Sequence, residues 1–127
     1  MQPIAHLHPL LQEPRVIVIT MHQKPDADAM GSALGLYHFL IQFGHTVSVI
    51  SPTNWAAFLN WMPACDSVID YEREQAKADA LIEEADLIVC LDFNVLSRTK
   101  KMETALAAAS GKRILIYHHQ QPDEPMF

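Results

Sequence analysis

The chain reads as an α/β domain of three layers, a mostly parallel sheet with helices on both faces, and three observations lead there. Short runs rich in β-branched and aliphatic residues recur at Val16–Thr20, Leu87–Leu91 and Arg113–Tyr117. Helical stretches separate them at the spacing of βαβ units, whose crossovers are right-handed. At 127 residues, 50% hydrophobic and 19% charged, the chain has the size and composition of one soluble globular domain.

Residues 1–14 are expected to be an N-terminal tail and residues 15–127 the domain proper, itself expected to be incomplete. Pro3, Pro9 and Pro14 interrupt the tail, which lacks a basic leader, so it reads as neither signal peptide nor amphipathic anchor. His6 and His8 belong to that tail. Val16–Thr20 is the first strand, an unbroken apolar run of the kind buried on both faces of a parallel sheet. Ala29–Phe43 follows as a helix, with Asp28 placed to cap it and Gly44 to end it. Leu34, Leu36, Phe39, Leu40, Ile41 and Phe43 surround most of that helix, which is therefore expected to be largely buried. Gly31 and Gly35 would allow it to approach the sheet closely.

Thr46–Ile50 alternates as a second strand, and Pro52–Pro63 is expected as a short helix or turn packing Trp55, Phe58 and Trp61 downward. Val68–Asp70 is a brief strand, and Glu74–Glu84 is a helix of good helix formers. Leu87–Leu91 holds Cys90, expected as a small buried hydrophobe. A helix from Ser97 to Ser110, stopped by Gly111, leads to the last strand, Arg113–Tyr117, and a loop-like end. Strand order is not legible from the residues.

Charge and hydropathy narrow the function classes. A net charge of −6 argues against broad attraction to duplex DNA, which needs a basic surface. Lys100, Lys101, Lys112 and Arg113 make only a modest solvated group. No apolar run approaches the roughly 20 residues that span a bilayer, so no membrane partner is expected and a cytoplasmic location is. Cys65 and Cys90 have no metal-like spacing.

The chemistry gathers behind the strands. HQKPDAD after the first strand supplies His22, Asp26 and Asp28; Asp92 follows Leu87–Leu91; His118 and His119 follow Arg113–Ile116. In a parallel sheet these strand ends share one edge, where open α/β folds bind their ligands. Carboxylates about 4 Å apart repel by roughly 4 kcal/mol at an effective dielectric near 20, so such a cluster holds protons or cations. Imidazole nitrogen and carboxylate oxygen are donors for manganese, magnesium or zinc. Five or more donors exceed one tetrahedral ion and suit two ions that share a carboxylate, the arrangement that serves phosphoryl displacement. A turn and helix cap is the plain alternative for Pro25–Asp28. His38 and His45 read as structural, Lys24 as a solvated loop residue, Tyr117 as a packed strand end, and Asp123 as no ligand.

At these residues the sequence resembles the DHH phosphoesterase family, through HQKPDADAMGSALGL at 22–36, CLD at 90–92 and the histidine pair at 118–119. The resemblance implies a Rossmann-like catalytic domain and is nearest to oligoribonucleases that also hydrolyse 3′-phosphoadenosine 5′-phosphate. It implies two Mn2+ ions, with Mg2+ as a substitute. His22, Asp26 and Asp92 would hold one ion, and Asp28, Asp92 and His118 the second. Asp92, His118 and His119 would be the catalytic set, with His119 facing substrate phosphate. The implied partners are a small nucleotide or short single-stranded RNA, and a homodimer is compatible with it. Two departures stand out: Tyr117 occupies the position of the motif's first aspartate, and family members continue past the histidine pair into a substrate-gripping domain. The expectation is an incomplete domain, impaired or inactive as an isolated chain. Two alternatives compete with it: a catalytically dead binding or assembly module, and a receiver-like phosphoacceptor domain using Asp92.

Overall fold

The structure, a computed structural model, describes residues 12–91, 102–109 and 111–116. Among them are strands β1 (Val16–Met21), β2 (Thr46–Ser51), β3 (Ile69–Asp70), β4 (Leu87–Leu91) and β5 (Lys112–Ile116). Helices α1 (Ala27–Ile41), α2 (Gln75–Glu84) and α3 (Met102–Ala108) alternate with them, and two 3-10 turns, Ala57–Trp61 and Cys65–Ser67, lie between β2 and β3. The strands form one parallel sheet in the order β3-β2-β1-β4-β5.

The period of two along each strand divides the core into two layers. Ile17, Ile19 and Met21 of β1 pack with Leu87, Val89 and Leu91 of β4 under α1, whose Met30, Ala33, Leu34 and Leu40 cover them. Val18, Ile88 and Cys90 point the other way, onto Ala78 and Ile82 of α2 and Met102 and Leu106 of α3. Both faces of the sheet are therefore covered, which is why β1 and β4 carry continuous apolar runs. Each fully buried Ile or Leu stabilises by about 1.5–3 kcal/mol, so these two central strands anchor the domain. Thr20, in the same run, is buried without penalty because its Oγ1 donates to the Ile50 carbonyl at 2.8 Å. Burial pushes the Cys90 thiol up to about 12, consistent with its expected role as a hydrophobe.

The amino edge of the sheet is closed by structural contacts. Arg15 N–H donates to His45 Nδ1 at 3.0 Å, and Val16 N–H donates to Asp86 Oδ2 at 2.9 Å. His45 is buried and structural, as expected, and His38 lies 3.4 Å from the Pro63 carbonyl.

Several local expectations are corrected. Helix α1 begins at Ala27 and ends at Ile41, with Asp26 rather than Asp28 as its cap. It is not buried around most of its circumference: Phe39, Ile41 and Phe43 are 53%, 41% and 58% exposed. A helix lying on a sheet buries one stripe, and positions 39 and 41 fall about 100° to either side of Leu40. Phe39 and Phe43 instead lean on each other, ring centroids 5.1 Å apart. Gly31 and Gly35 face open space, where an added Cβ would meet nothing within 4 Å, so they serve no close approach. Gly44, at φ +83°, does end the helix region, adopting the left-handed backbone that glycine tolerates. Trp61 is 75% exposed rather than packed down, while Trp55 packs against the α1 side of the core; the Phe58 side chain lies outside the described residues.

Strand β3 is shorter than expected, starting at Ile69. The described part of the last helix runs from Met102 to Ala108; positions 97–101 and Tyr117 lie outside the described residues, as do residues 1–11 of the expected tail. Gly111 does more than stop a helix: a Cβ there would sit 2.4 Å from the Ala85 carbonyl oxygen. Among the described residues no helix is long and apolar enough to cross a membrane.

Candidate metal centre

Strand order locates a crevice. The chain leaves β1 for β2 on one side and β4 for β5 on the other, while β1 and β4 are neighbours. Connections diverging from adjacent strands open a gap at their carboxyl ends, the switch point at which open α/β sheets take ligands. Met21 pairs with Leu91, and Leu91 with Ile116, so β1, β4 and β5 finish side by side.

The loop that follows β1 is built into that edge. His22, half-buried, donates from Nδ1 to the Gln23 carbonyl at 2.7 Å. A carbonyl only accepts, so Nδ1 carries a proton and Nε2 is the nitrogen through which this histidine would ligate. Lys24 adopts φ +49°, a left-handed conformation costly for a side chain with a Cβ. Its N–H donates to Thr53 Oγ1 at 2.7 Å, and Thr53 is buried. Ser51 Oγ in turn donates to the Thr53 carbonyl at 2.5 Å, and Thr53 Oγ1 donates to the Asn54 carbonyl at 3.1 Å. Thr53, itself held by Ser51 at the end of β2 and by the Asn54 carbonyl, thus clamps the strained backbone between His22 and Asp26. Pro25 is buried beside it.

Asp26 has extended backbone (φ −87°, ψ −175°), and its Oδ1 accepts the Ala29 N–H at 2.9 Å. One carboxylate oxygen is therefore engaged in the cap, which orients the group without consuming it. Asp28 lies exposed in the first turn of α1, where the helix dipole favours negative charge. Gln23 Oε1 is buried without a hydrogen-bond partner among the described residues. A buried carbonyl oxygen of that kind calls for a donor or a cation.

These donors fit part of a metal site. His22 and Asp26 on the loop and Asp28 in the first turn of α1 are brought to the switch point, with an Nε2 that the Gln23 carbonyl does not engage, a carboxylate oriented by the cap and a second exposed carboxylate. They do not close on one another: among the described residues no group of three His, Cys, Asp or Glu side chains could hold an ion. The other expected members, Asp92, His118 and His119, lie outside the described residues. Thr53 was not anticipated from sequence, and only the turn-forming Ser51-Pro52-Thr53-Asn54 after β2 signals it. Asp26 as cap was equally available, since Asp26-Ala27-Asp28 offers two capping carboxylates in three residues.

Fold and site together define a doubly wound α/β domain with acidic and imidazole donors gathered at its switch point. The chain belongs to the DHH family: the model of that family's N-terminal domain matches residues 16–126. Members of the family are metal-dependent phosphoesterases. The chain is also similar to an exopolyphosphatase-related protein from Bacteroides fragilis, whose crystal structure it matches with a TM-score of 0.92 and 45% sequence identity. The match covers 95% of this chain and 36% of that one, so the chain spans about a third of the length of the solved protein. No curated protein matches significantly. The family match sets aside the receiver-like reading of Asp92.

Proposed function

We propose that the chain is the metal-holding domain of a two-metal, manganese-dependent phosphoesterase. Its substrates are the phosphodiester or phosphomonoester bonds of short oligoribonucleotides or small nucleotides. The observation that carries this reading is the clamped His22–Asp28 loop at the switch point, with β4 and β5 ending in register beside it. Asp92 is the next residue after Leu91, and His118 follows Ile116 by two. His22, Asp26 and Asp92 would hold one ion, and Asp28, Asp92 and His118 the other.

When bound, the ions supply positive charge to the phosphoryl oxygens and acidify a water for in-line attack. The chain's own residues do the positioning. His22 is oriented by the Gln23 carbonyl, and Asp26 is aimed by the Ala29 N–H. The amino end of α1 faces the same edge and favours an anion there. His119 donates to a phosphate oxygen.

Tyr117 stands where the family motif has aspartate. A phenol with an ordinary pKa near 10 stays neutral at pH 7 and cannot polarise a neighbouring histidine as a carboxylate does. Losing such a supporting carboxylate costs about 10–100-fold, so turnover by this chain is slow. The experiment is hydrolysis of a diribonucleotide, 3′-phosphoadenosine 5′-phosphate and polyphosphate, each with manganese, magnesium or chelator. Polyphosphate is included because the solved relative is described as exopolyphosphatase-related. Manganese-dependent release from a nucleotide, raised in Tyr117→Asp and abolished in Asp92→Ala, is the expected result. Hydrolysis that survives chelator, or that Asp92→Ala leaves intact, contradicts the reading.

A further inference from the structure

The cleft at the carboxyl ends of β2 and β3 has no part in the site above. It encloses about 740 Å³, and Trp55, Asn60, Asp66, Asp70, Arg73 and Glu74 line it. The indole N–H of half-buried Trp55 donates to Asn60 Oδ1 at 2.9 Å, which fixes the ring's orientation. Asp70, the last residue of β3, is only 6% exposed. Its Oδ1 accepts the Glu72 N–H at 3.0 Å, and no cation pairs with it among the described residues. A buried carboxylate needs donors, and one N–H satisfies a fraction of its capacity.

Charge selects the ligand. Asp66, Asp70 and Glu74 share the lining with Arg73, and Lys77, outside the lining, pairs with Glu74 at 3.7 Å. Three acids against these two cations leave the cleft net negative, so it disfavours phosphate. It favours a neutral, donor-rich group with a flat face. Aromatic rings take nucleobases by stacking, and an acid beyond a strand's carboxyl end is a recurring partner of ribose hydroxyls in α/β sheets.

We propose that this cleft is a ribonucleoside subsite, in which Asp70 accepts the ribose hydroxyls and Trp55 stacks the base of a nucleotide whose phosphate lies at the β1 edge. The substrate class rests on the function proposed above. β3 stands two strands from β1, about 10 Å away, within reach of a short oligonucleotide. The Lys24–Thr53 hydrogen bond ties the metal loop to the residue preceding Asn54 on the cleft's rim. The acidic lining turns the phosphate away from the cleft and toward the edge that holds cations.

Trp55 fluorescence, isolated in a Trp61→Phe background and read with chelator present, tests the subsite without metal or hydrolysis. Adenosine 5′-monophosphate is expected to change the signal saturably, and its 2′-deoxy analogue to bind at least about ten-fold more weakly. Asp70→Asn keeps the oxygen that accepts from Glu72, and should bring the two ligands within about three-fold of each other. Should that variant fail to fold, the ribo-to-deoxy ratio in the Trp61→Phe protein still decides. Equal affinities, or no saturable change at millimolar ligand, overturn the subsite whether or not hydrolysis is found. Ribose-selective binding in a protein that shows no metal-dependent hydrolysis upholds the subsite and removes the proposed function instead.

Discussion

Asp26 serves both as helix cap and as proposed ligand, and two substitutions separate those roles. Asp26→Ala removes the acceptor that holds the Ala29 N–H at 2.9 Å, a loss worth about 1 kcal/mol. Helix α1 brings Met30, Ala33, Leu34 and Leu40 to the core, so that loss is felt by the whole domain. For a domain of this size it lowers Tm by about 3–5 °C. Asp26→Asn keeps a capping oxygen, and asparagine caps as well as aspartate, so Tm shifts by no more than about 1–2 °C from the weakened dipole interaction. Both substitutions remove the ligating carboxylate. Supporting partners of metal ligands are worth about 10–100-fold, so a ligand itself should cost manganese affinity at least about 100-fold. Thermal unfolding in chelator reads the cap, and isothermal titration with manganese reads the ligand. An Asp26→Asn protein that binds manganese as the wild type does would reduce Asp26 to a cap. An Asp26→Ala protein that melts with the wild type would refute the capping energetics.

Thr53→Val removes the acceptor of the Lys24 N–H and releases the left-handed loop, so manganese affinity should fall about ten-fold, with Thr53→Ser restoring it; unchanged affinity in Thr53→Val would show the clamp to be irrelevant to the site. Gly111→Ala forces a Cβ against the Ala85 carbonyl and should destabilise by about 1–3 kcal/mol in denaturant unfolding, against no effect if the Asp86 region moves aside freely. Burial, then the hydrogen bond to Asp79 Oδ1 at 2.6 Å, pushes the Tyr71 phenol up to about 12. An unfolded tyrosine ionises near pH 10, so the stability it contributes is whole below that pH and is lost as pH rises toward 12. Unfolding free energies measured across that window should fall more steeply for wild type than for Tyr71→Phe, and parallel curves would contradict the assignment.

What could be read in the residues follows from which forces are local. The runs in β1 and β4 revealed themselves because a strand covered on both faces has no polar positions to blur it. The cap was misplaced by two residues because Asp26 and Asp28 carry the same chemistry, and only the backbone path after Pro25 decides between them. The exposure of Phe39, Ile41 and Trp61 was illegible, since composition does not say which arc of a helix or turn the sheet covers. Strand order depends on long-range pairing, and with it the switch point that makes the His22–Asp28 loop significant. The Thr53 clamp joins residues 29 apart and leaves no periodic trace. At the site itself, the β1 half of the ligand set was legible as a motif, because three donor residues fall within seven positions.

A crystal soaked in manganese and measured at the metal's absorption edge tests the metal-centre claim most directly. The expected map has two anomalous peaks about 3.5–4 Å apart in the crevice beyond Met21 and Leu91, with His22, Asp26, Asp28 and Asp92 as ligands. Peaks confined to other carboxylates, or an empty crevice at saturating manganese, would contradict it.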